Sequence, residues 1–205
     1  MTAENSPQQP PFSQKFQHTP VAARIPEKVA GGAFTTGALV QTLANEFLID
    51  FIQNLSRPPS VVARVIVAPP TLANMTQALQ ANLDMYTQKF GAPPPLPKPQ
   101  NPRQPTIQEI YDELKLSDDL MSGTYANTLM VGHSPAEFVL DFITNFYPKA
   151  AVTSRIFISA GQVPRLIETW NSALRNFRNR SAPQPPLEGG PPPSPPEPPI
   201  SHPPV

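Results

Sequence analysis

The sequence predicts an α+β protein of two tandem repeats, each an antiparallel sheet of three to four strands followed by one long helix, packed as a pseudo-twofold dimer within one chain. Three observations lead there. The stretch Glu46 to Ile52 returns as Glu137 to Ile143, an offset of 91 residues (137 minus 46) that holds without a gap from Gly32/Gly123 to Leu83/Leu174. Duplication at a fixed spacing marks a repeated structural unit. Within each unit the apolar period changes from two to between three and four, as it does where strands give way to a helix. The 31 prolines gather outside the units, with 12 after residue 182, 7 between Pro93 and Pro105 and 4 in the first 20 residues. Proline fixes φ and carries no N–H, so these stretches are expected to be extended and solvated, with disordered Pro-rich termini.

Residues 1–23, rich in Gln, Ser and Pro, are expected to be a disordered leader whose Phe12 and Phe16 have no periodic partners. The first repeat, residues 24–91, opens with Ile25-Pro26-Glu27 and the turn glycines Gly31-Gly32 and continues as a strand over Phe34 to Thr42. Leu43-Ala44-Asn45 holds the place of a hairpin connection, taken in the second repeat by Ser134-Pro135-Ala136, where proline presets φ at a corner. In the next strand Phe47, Ile49 and Phe51 share one face and Leu48, Asp50 and Ile52 the other. Both faces are largely apolar, which puts the strand inside a layered structure or at a contact between repeats or subunits. Ser60 to Val67, β-branched around Arg64, continues the sheet. Leu72, Met75, Leu79, Leu83, Tyr86 and Phe90 then form one face of a long helix, with Gly91 in the place of its C-cap.

Residues 92–105 form a stiff Pro-rich linker, and residues 106–114 a short helix opened by a Thr106/Glu109 capping box, with Ile107, Ile110, Tyr111 and Leu114 on its apolar face. The second repeat, residues 115–180, repeats the helical stripe as Val163, Leu166, Ile167, Trp170, Leu174 and Phe177. Residues 181–205 are a disordered Pro-rich tail whose P-x-x-P spacings suit a polyproline II ligand and equally a solvated tether.

Units of about 65 residues bury a modest share of their surface, so the two copies are expected to share one core. Fifteen basic residues balance fifteen acidic ones, and no overall field draws the chain to nucleic acid or anionic lipid. The lack of cysteine excludes disulfides, thiolate catalysis and thiolate metal sites. Met1 to Pro20 has no basic segment followed by an apolar one, and no apolar run approaches the roughly 18 residues of a membrane span, so a cytoplasmic location is expected.

Tyr125-Ala126-Asn127, the run Ser134 to Phe142, Ser154-Arg155-Ile156 and the helix that follows resemble the small bacterial and archaeal proteins of domain of unknown function 3467. The likeness spans residues 115 to 180. The first copy resembles a diverged member: it keeps Glu46, Phe47, Asp50, Phe51 and Arg64, but has Phe34 for the tyrosine, Thr36 for the asparagine and Leu43-Ala44 for the Ser-Pro pair. The resemblance implies a fold and no activity. A likeness of element order alone, to PUR and Whirly-type modules, implies binding of single-stranded nucleic acid by analogy.

Glu46 with Asp50, and Glu137 with Asp141, are carboxylates four apart, a spacing that acid–base chemistry can use. Each aspartate, however, lies one strand away from Arg64 or Arg155, and a carboxylate among apolar side chains demands a cation. Structural ion pairs Asp50–Arg64 and Asp141–Arg155 are therefore expected, with no catalytic role. Three histidines, His18, His133 and His202, are too scattered to hold a metal, and His133 is expected in a solvent-exposed turn. Gly31-Gly32 precedes a strand, where a phosphate loop would precede a helix, and no serine lies in a nucleophile elbow. No enzyme activity and no cofactor are expected. The function predicted is a non-catalytic protein-interaction or scaffold module, oligomeric, with Pro-rich arms, whose partner is another protein or a second copy of itself. The alternative is a PUR/Whirly-like single-strand binder that contacts phosphates through Arg165, Arg175, Arg178 and Arg180 and stacks a base on Tyr125.

Overall fold

The computed structural model describes residues 23–97, 106–146 and 149–181. In chain order the first copy runs through α1 (Glu27–Ala30), β1 (Ala33–Thr35), β2 (Gly37–Thr42), β3 (Phe47–Gln53), β4 (Ser60–Val67) and α2 (Pro69–Phe90). The second runs through α3 (Ile107–Glu113), α4 (Asp118–Met121), β5 (Thr124–Tyr125), β6 (Thr128–His133), β7 (Glu137–Phe146), β8 (Lys149–Ser159), a 3₁₀ turn (Ala160–Gln162) and α5 (Val163–Ser181).

Local chemistry explains these elements. Along β4 the side chains of Val61, Ala63, Val65 and Val67 are buried while those between them are half-buried, the signature of a pleated strand with one face on a core. Proline opens α2, where a missing N–H costs nothing, and Gly91 closes it at φ 85° with its N–H donating to the Thr87 carbonyl. The Thr106 side chain and the Glu109 side chain cap each other's backbone at the start of α3.

Two four-stranded sheets result, in the orders β2-β3-β4-β5 and β6-β7-β8-β1. They are mixed, not purely antiparallel as expected. The strand anticipated over Phe34 to Thr42 breaks at Thr36: β1 runs parallel to β8, Phe34 opposite Phe157, while β2 pairs antiparallel with β3. The second copy does the same, with β5 parallel to β4 and Tyr125 opposite Ile66. Each sheet is thus completed by the other copy's first strand. Glycine makes the crossing possible. Gly32 and Gly123 sit at φ +63° and +67°, and a Cβ on Gly32 would lie 2.5 Å from the Phe157 ring, one on Gly123 2.9 Å from the stem of Arg64. In the first copy the buried Thr35 hydroxyl sits at the break, 2.6 and 2.8 Å from the Gly37 and Ile52 carbonyls, with one proton to share between them.

The helices also cross over: α2 packs beside β6, α5 beside β2, and the two helices lie against each other. One aromatic contact is consequently made twice, Phe47 on Phe177 at 5.5 Å and Phe138 on Tyr86 at 5.3 Å between ring centroids. Phe51 meets Phe142 at 5.5 Å, and Trp170 stands edge-on to Phe142. Trp170 and those four phenylalanines, Phe47, Phe51, Phe138 and Phe142, are fully buried in one core. At roughly 1.5–3 kcal/mol per buried side chain, these five contribute about as much as the ~5–15 kcal/mol net stability of a typical domain.

The linker was expected to be a solvated spacer, but its described part turns onto the body. The Pro94 carbonyl lies so close to Gly161 that a Cβ there would meet it at 2.5 Å. The rest of the linker, the leader up to residue 22 and the tail beyond Ser181 lie outside the described residues.

Candidate functional site

The side of each sheet turned away from the core carries an aspartate–arginine pair at equivalent positions. In β3 and β4, Asp50 lies opposite Arg64; in β7 and β8, Asp141 lies opposite Arg155. Each pair is a two-bonded fork, with the arginine Nε 2.7 Å and one terminal nitrogen 2.8 Å from the two carboxylate oxygens. Such forks are among the strongest side-chain hydrogen bonds. The other terminal nitrogen donates to a carbonyl, Met121 for Arg64 and Ala30 for Arg155. Asp50 thereby holds the Arg64 guanidinium above its ordinary pKa, and Asp141 does the same for Arg155. Glu137, whose partner in an acid–base pair would have been Asp141, is exposed and accepts from the Ser134 hydroxyl.

The two pairs differ in what covers them. Helix α3 lies over the first, and the Tyr111 hydroxyl donates to Asp50 Oδ2. The Asp50 side chain is 0% and that of Arg64 10% exposed, against 14% for Asp141 and 19% for Arg155. Leu39, which lies opposite Asp50 on β2, is half-buried, whereas its counterpart Met130, opposite Asp141 on β6, is 51% exposed. Phe34, on the same side as Phe157, is 40% exposed. The outer side of β6, β7, β8 and β1 is therefore an open apolar face built round an ion pair.

Burial pushes the Tyr111 hydroxyl from 10.0 up to about 12, helped by its hydrogen bond to Asp50 and opposed by one with Gln41. The folded protein holds this proton more tightly than the unfolded chain. The contribution of the contact is then complete below pH 10 and drains away as pH rises toward about 12. Tyr111→Phe should cost roughly 1–2 kcal/mol at neutral pH, a charge-assisted bond discounted for its half-exposed site. Denaturant titrations should show the gap between wild type and variant closing over that alkaline window; a gap that stays constant to pH 12 would refute the assignment.

Between the two forks lies a cavity of about 290 Å³ lined by Arg64 and Arg155, Gly32 and Gly123, and Lys28 and Asp119. Both arginines are already neutralised by their aspartates, and the lining adds one further residue of each sign, Lys28 and Asp119, so it has no net sign to select an ion.

The residues proposed to contact nucleic acid are not brought together. Arg180 donates to the Thr42 and Leu43 carbonyls at the end of β2, Arg175 to the Ser172 hydroxyl, Arg178 to the Leu174 carbonyl, and Arg165 lines a groove with Gln108 and Glu168. Tyr125 lies on β5, at the far edge of the same sheet from β2, about 14 Å away at three strand spacings. Its exposed ring stacks on Phe146, with planes 8° apart. His133, expected in a solvent-exposed turn, is instead the half-buried last residue of β6, packed among Tyr86, Phe90 and Phe138; the Pro135 corner places the turn one residue later. Among the described residues no three His, Asp or Glu side chains cluster to hold a metal, and no helix is long and apolar enough to cross a membrane.

Tyr111 escaped the sequence reading as a site residue because the duplication gives it no tyrosine counterpart. Its position one offset earlier is Pro20. The apolar face of its short helix was the one available signal.

A family model, protein of unknown function (DUF3467), matches residues 1–92 and again residues 96–183. No curated protein matches the chain.

Proposed function

The chain belongs to the DUF3467 family, which it contains in two copies, and from that premise we propose that it is a non-catalytic protein-interaction module whose copies form a pseudo-twofold dimer within one chain. The observation that carries this reading is the unlike treatment of two like faces: α3 closes one over Asp50–Arg64, and the other stays open round Asp141–Arg155 with Met130 half-exposed. An apolar segment bearing a hydrogen-bond donor suits the open face, as α3 with Tyr111 suits the closed one. A small exposed apolar patch with a polar centre is the usual form of a docking site. The partner is a protein segment of that kind, from another protein or from a second copy in an oligomer, and the Pro-rich ends would act as arms of a scaffold.

Affinity purification of the full chain from its native cells, wild type beside Met130→Glu, tests the reading. Met130 is exposed, so the variant should melt as wild type does while losing the proteins that wild type retains. An unchanged set of retained proteins would count against the open face.

The stacked, exposed pair Tyr125 and Phe146 favours one second reading, a single-strand binder. Salt-sensitive binding of a labelled oligonucleotide, weakened by Phe146→Ala, would support it; no binding at low ionic strength would retire it.

A further inference from the structure

The cavity between the two forks is built from equivalent positions of both copies. Every residue that lines it has its counterpart 91 positions away in the lining as well, from Lys28 with Asp119 (119 minus 28) to Arg64 with Arg155. A wall written twice would give a ligand two like ends. Here the copies have diverged, and the ends are unlike. Helix α1 packs on β8, where the Ala30 carbonyl accepts from Arg155, and α4 packs on β4, where the Met121 carbonyl accepts from Arg64. Lys28 of α1 therefore stands at the β8 end of the cavity and Asp119 of α4 at the β4 end, both exposed at its rim.

The strands beneath differ too. On β8 the lining has the hydroxyls of Thr153 and Ser154, where the equivalent positions of β4 are Val62 and Ala63. The Thr153 hydroxyl lies within hydrogen-bond reach of the Tyr125 and Phe142 carbonyls. Ser154 has no such outlet: the residue is 8% exposed, and among the described residues its hydroxyl has no hydrogen-bond partner. Nor is its oxygen sealed off, as His133 Nδ1 and Trp170 Nε1 are, and the residue lines the cavity. A buried hydroxyl left unpaired costs free energy that a bound acceptor recovers. The β8 end thus holds two unused donors, an ammonium and a hydroxyl. The β4 end holds the apolar side chains of Val62, Ala63 and Leu120, with one carboxylate at the rim.

We propose that this cavity binds a short zwitterion with its charges at opposite ends of an apolar chain, of the ω-amino acid type. The carboxylate is held by Lys28 and Ser154, the ammonium by Asp119, and the chain lies along Val62 and Leu120. At about 290 Å³ the cavity is at the small end of ligand pockets, so the chain is short. A lining without net charge still selects, because each end rejects the charge that the other accepts. The site is separate from whatever docks on the outer face round Met130.

Titration of the isotope-labelled full-length protein with ω-aminohexanoate, followed by NMR, tests the assignment, with hexanoate, hexylamine and adipate alongside. The zwitterion should shift the amides of Gly32 and Gly123 saturably, and hexanoate and hexylamine should each bind about threefold to fivefold more weakly, the size of one exposed ion pair. Ser154→Ala should weaken the zwitterion about tenfold, through loss of a charge-assisted hydrogen bond. Asp119 is exposed, so Asp119→Lys should melt as wild type does while exchanging its preference for adipate, which carries a carboxylate at both ends. Adding Lys28→Asp to that variant swaps the two equivalent positions and should bring the preference for ω-aminohexanoate back. Absence of saturable shifts at the two glycines overturns the proposal. Hexanoate binding as tightly as the zwitterion, or an Asp119→Lys variant that still prefers the zwitterion to adipate, overturns it as well.

Discussion

Residues 106–181 expressed as a separate chain should not yield a folded monomer. Their sheet would lose β1, leaving the N–H and C=O groups on that edge of β8 without the parallel partner that ends in the buried Thr35. Their helix α5 would lose β2 beneath it, and Phe177 would lose Phe47. The inner side of β6 would lose α2, and Phe138 would lose Tyr86. What remains exposes Trp170, Phe138 and Phe142, all fully buried in the intact chain. A unit of about 75 residues has no surplus stability to absorb those losses. Two outcomes fit: an unfolded chain by circular dichroism, or a homodimer in which two identical halves exchange strand and helix as the natural halves do. The second would melt at a temperature that rises with protein concentration. A stable folded monomer in sedimentation would show that the crossing of β1 and β5 is decoration, and the single shared core would no longer explain the fold.

Periodicity exposed most of the elements because each repeat writes its strands in alternation and its helix in steps of three and four. The duplication then located them twice, and the structure repeats even a register shift between Phe51 and Ile52 that recurs between Phe142 and Ile143. The ion pairs were legible for a physical reason: a carboxylate amid Phe and Ile on adjacent strands has few ways to be satisfied other than a nearby arginine. The exchange of β1 and β5 was not legible. Three residues such as Ala33–Thr35 satisfy the strand pattern equally well in either sheet, and the close approach of Gly32 to Phe157 that accompanies the crossing leaves no mark in the pattern. The unequal covering of the two faces was hidden as well, since it turns on Tyr111, which lies outside the gapless part of the duplication and faces a proline in the alignment. The nucleic-acid set was read from closeness along one helix and from an aromatic on a strand, and neither signal says where the helix lies against the sheet that carries Tyr125.

Asp50→Ala should destabilise the protein by roughly 3–5 kcal/mol, and Asp141→Ala by only about 1–3, although the two sites share every residue of the ion pair. The difference follows from α3. With Asp50 removed, Arg64 is left 10% exposed beneath a helix, with one carbonyl at Met121 as its remaining partner, and the Tyr111 hydroxyl loses its acceptor. The cover of α3 leaves the stranded guanidinium less open to water than Arg155 is, so more of the desolvation of the charge is felt. Removing Asp141 leaves Arg155 19% exposed, still donating to the Ala30 carbonyl, on a face with no counterpart of α3 among the described residues, where solvent can replace much of what the carboxylate supplied. Urea denaturation of both variants measures the gap. The double variants Asp50→Ala/Arg64→Met and Asp141→Ala/Arg155→Met sharpen it, because a stranded charge should make the first recover much more stability than the second. Equal losses at the two sites would mean that α3 does not shield Asp50.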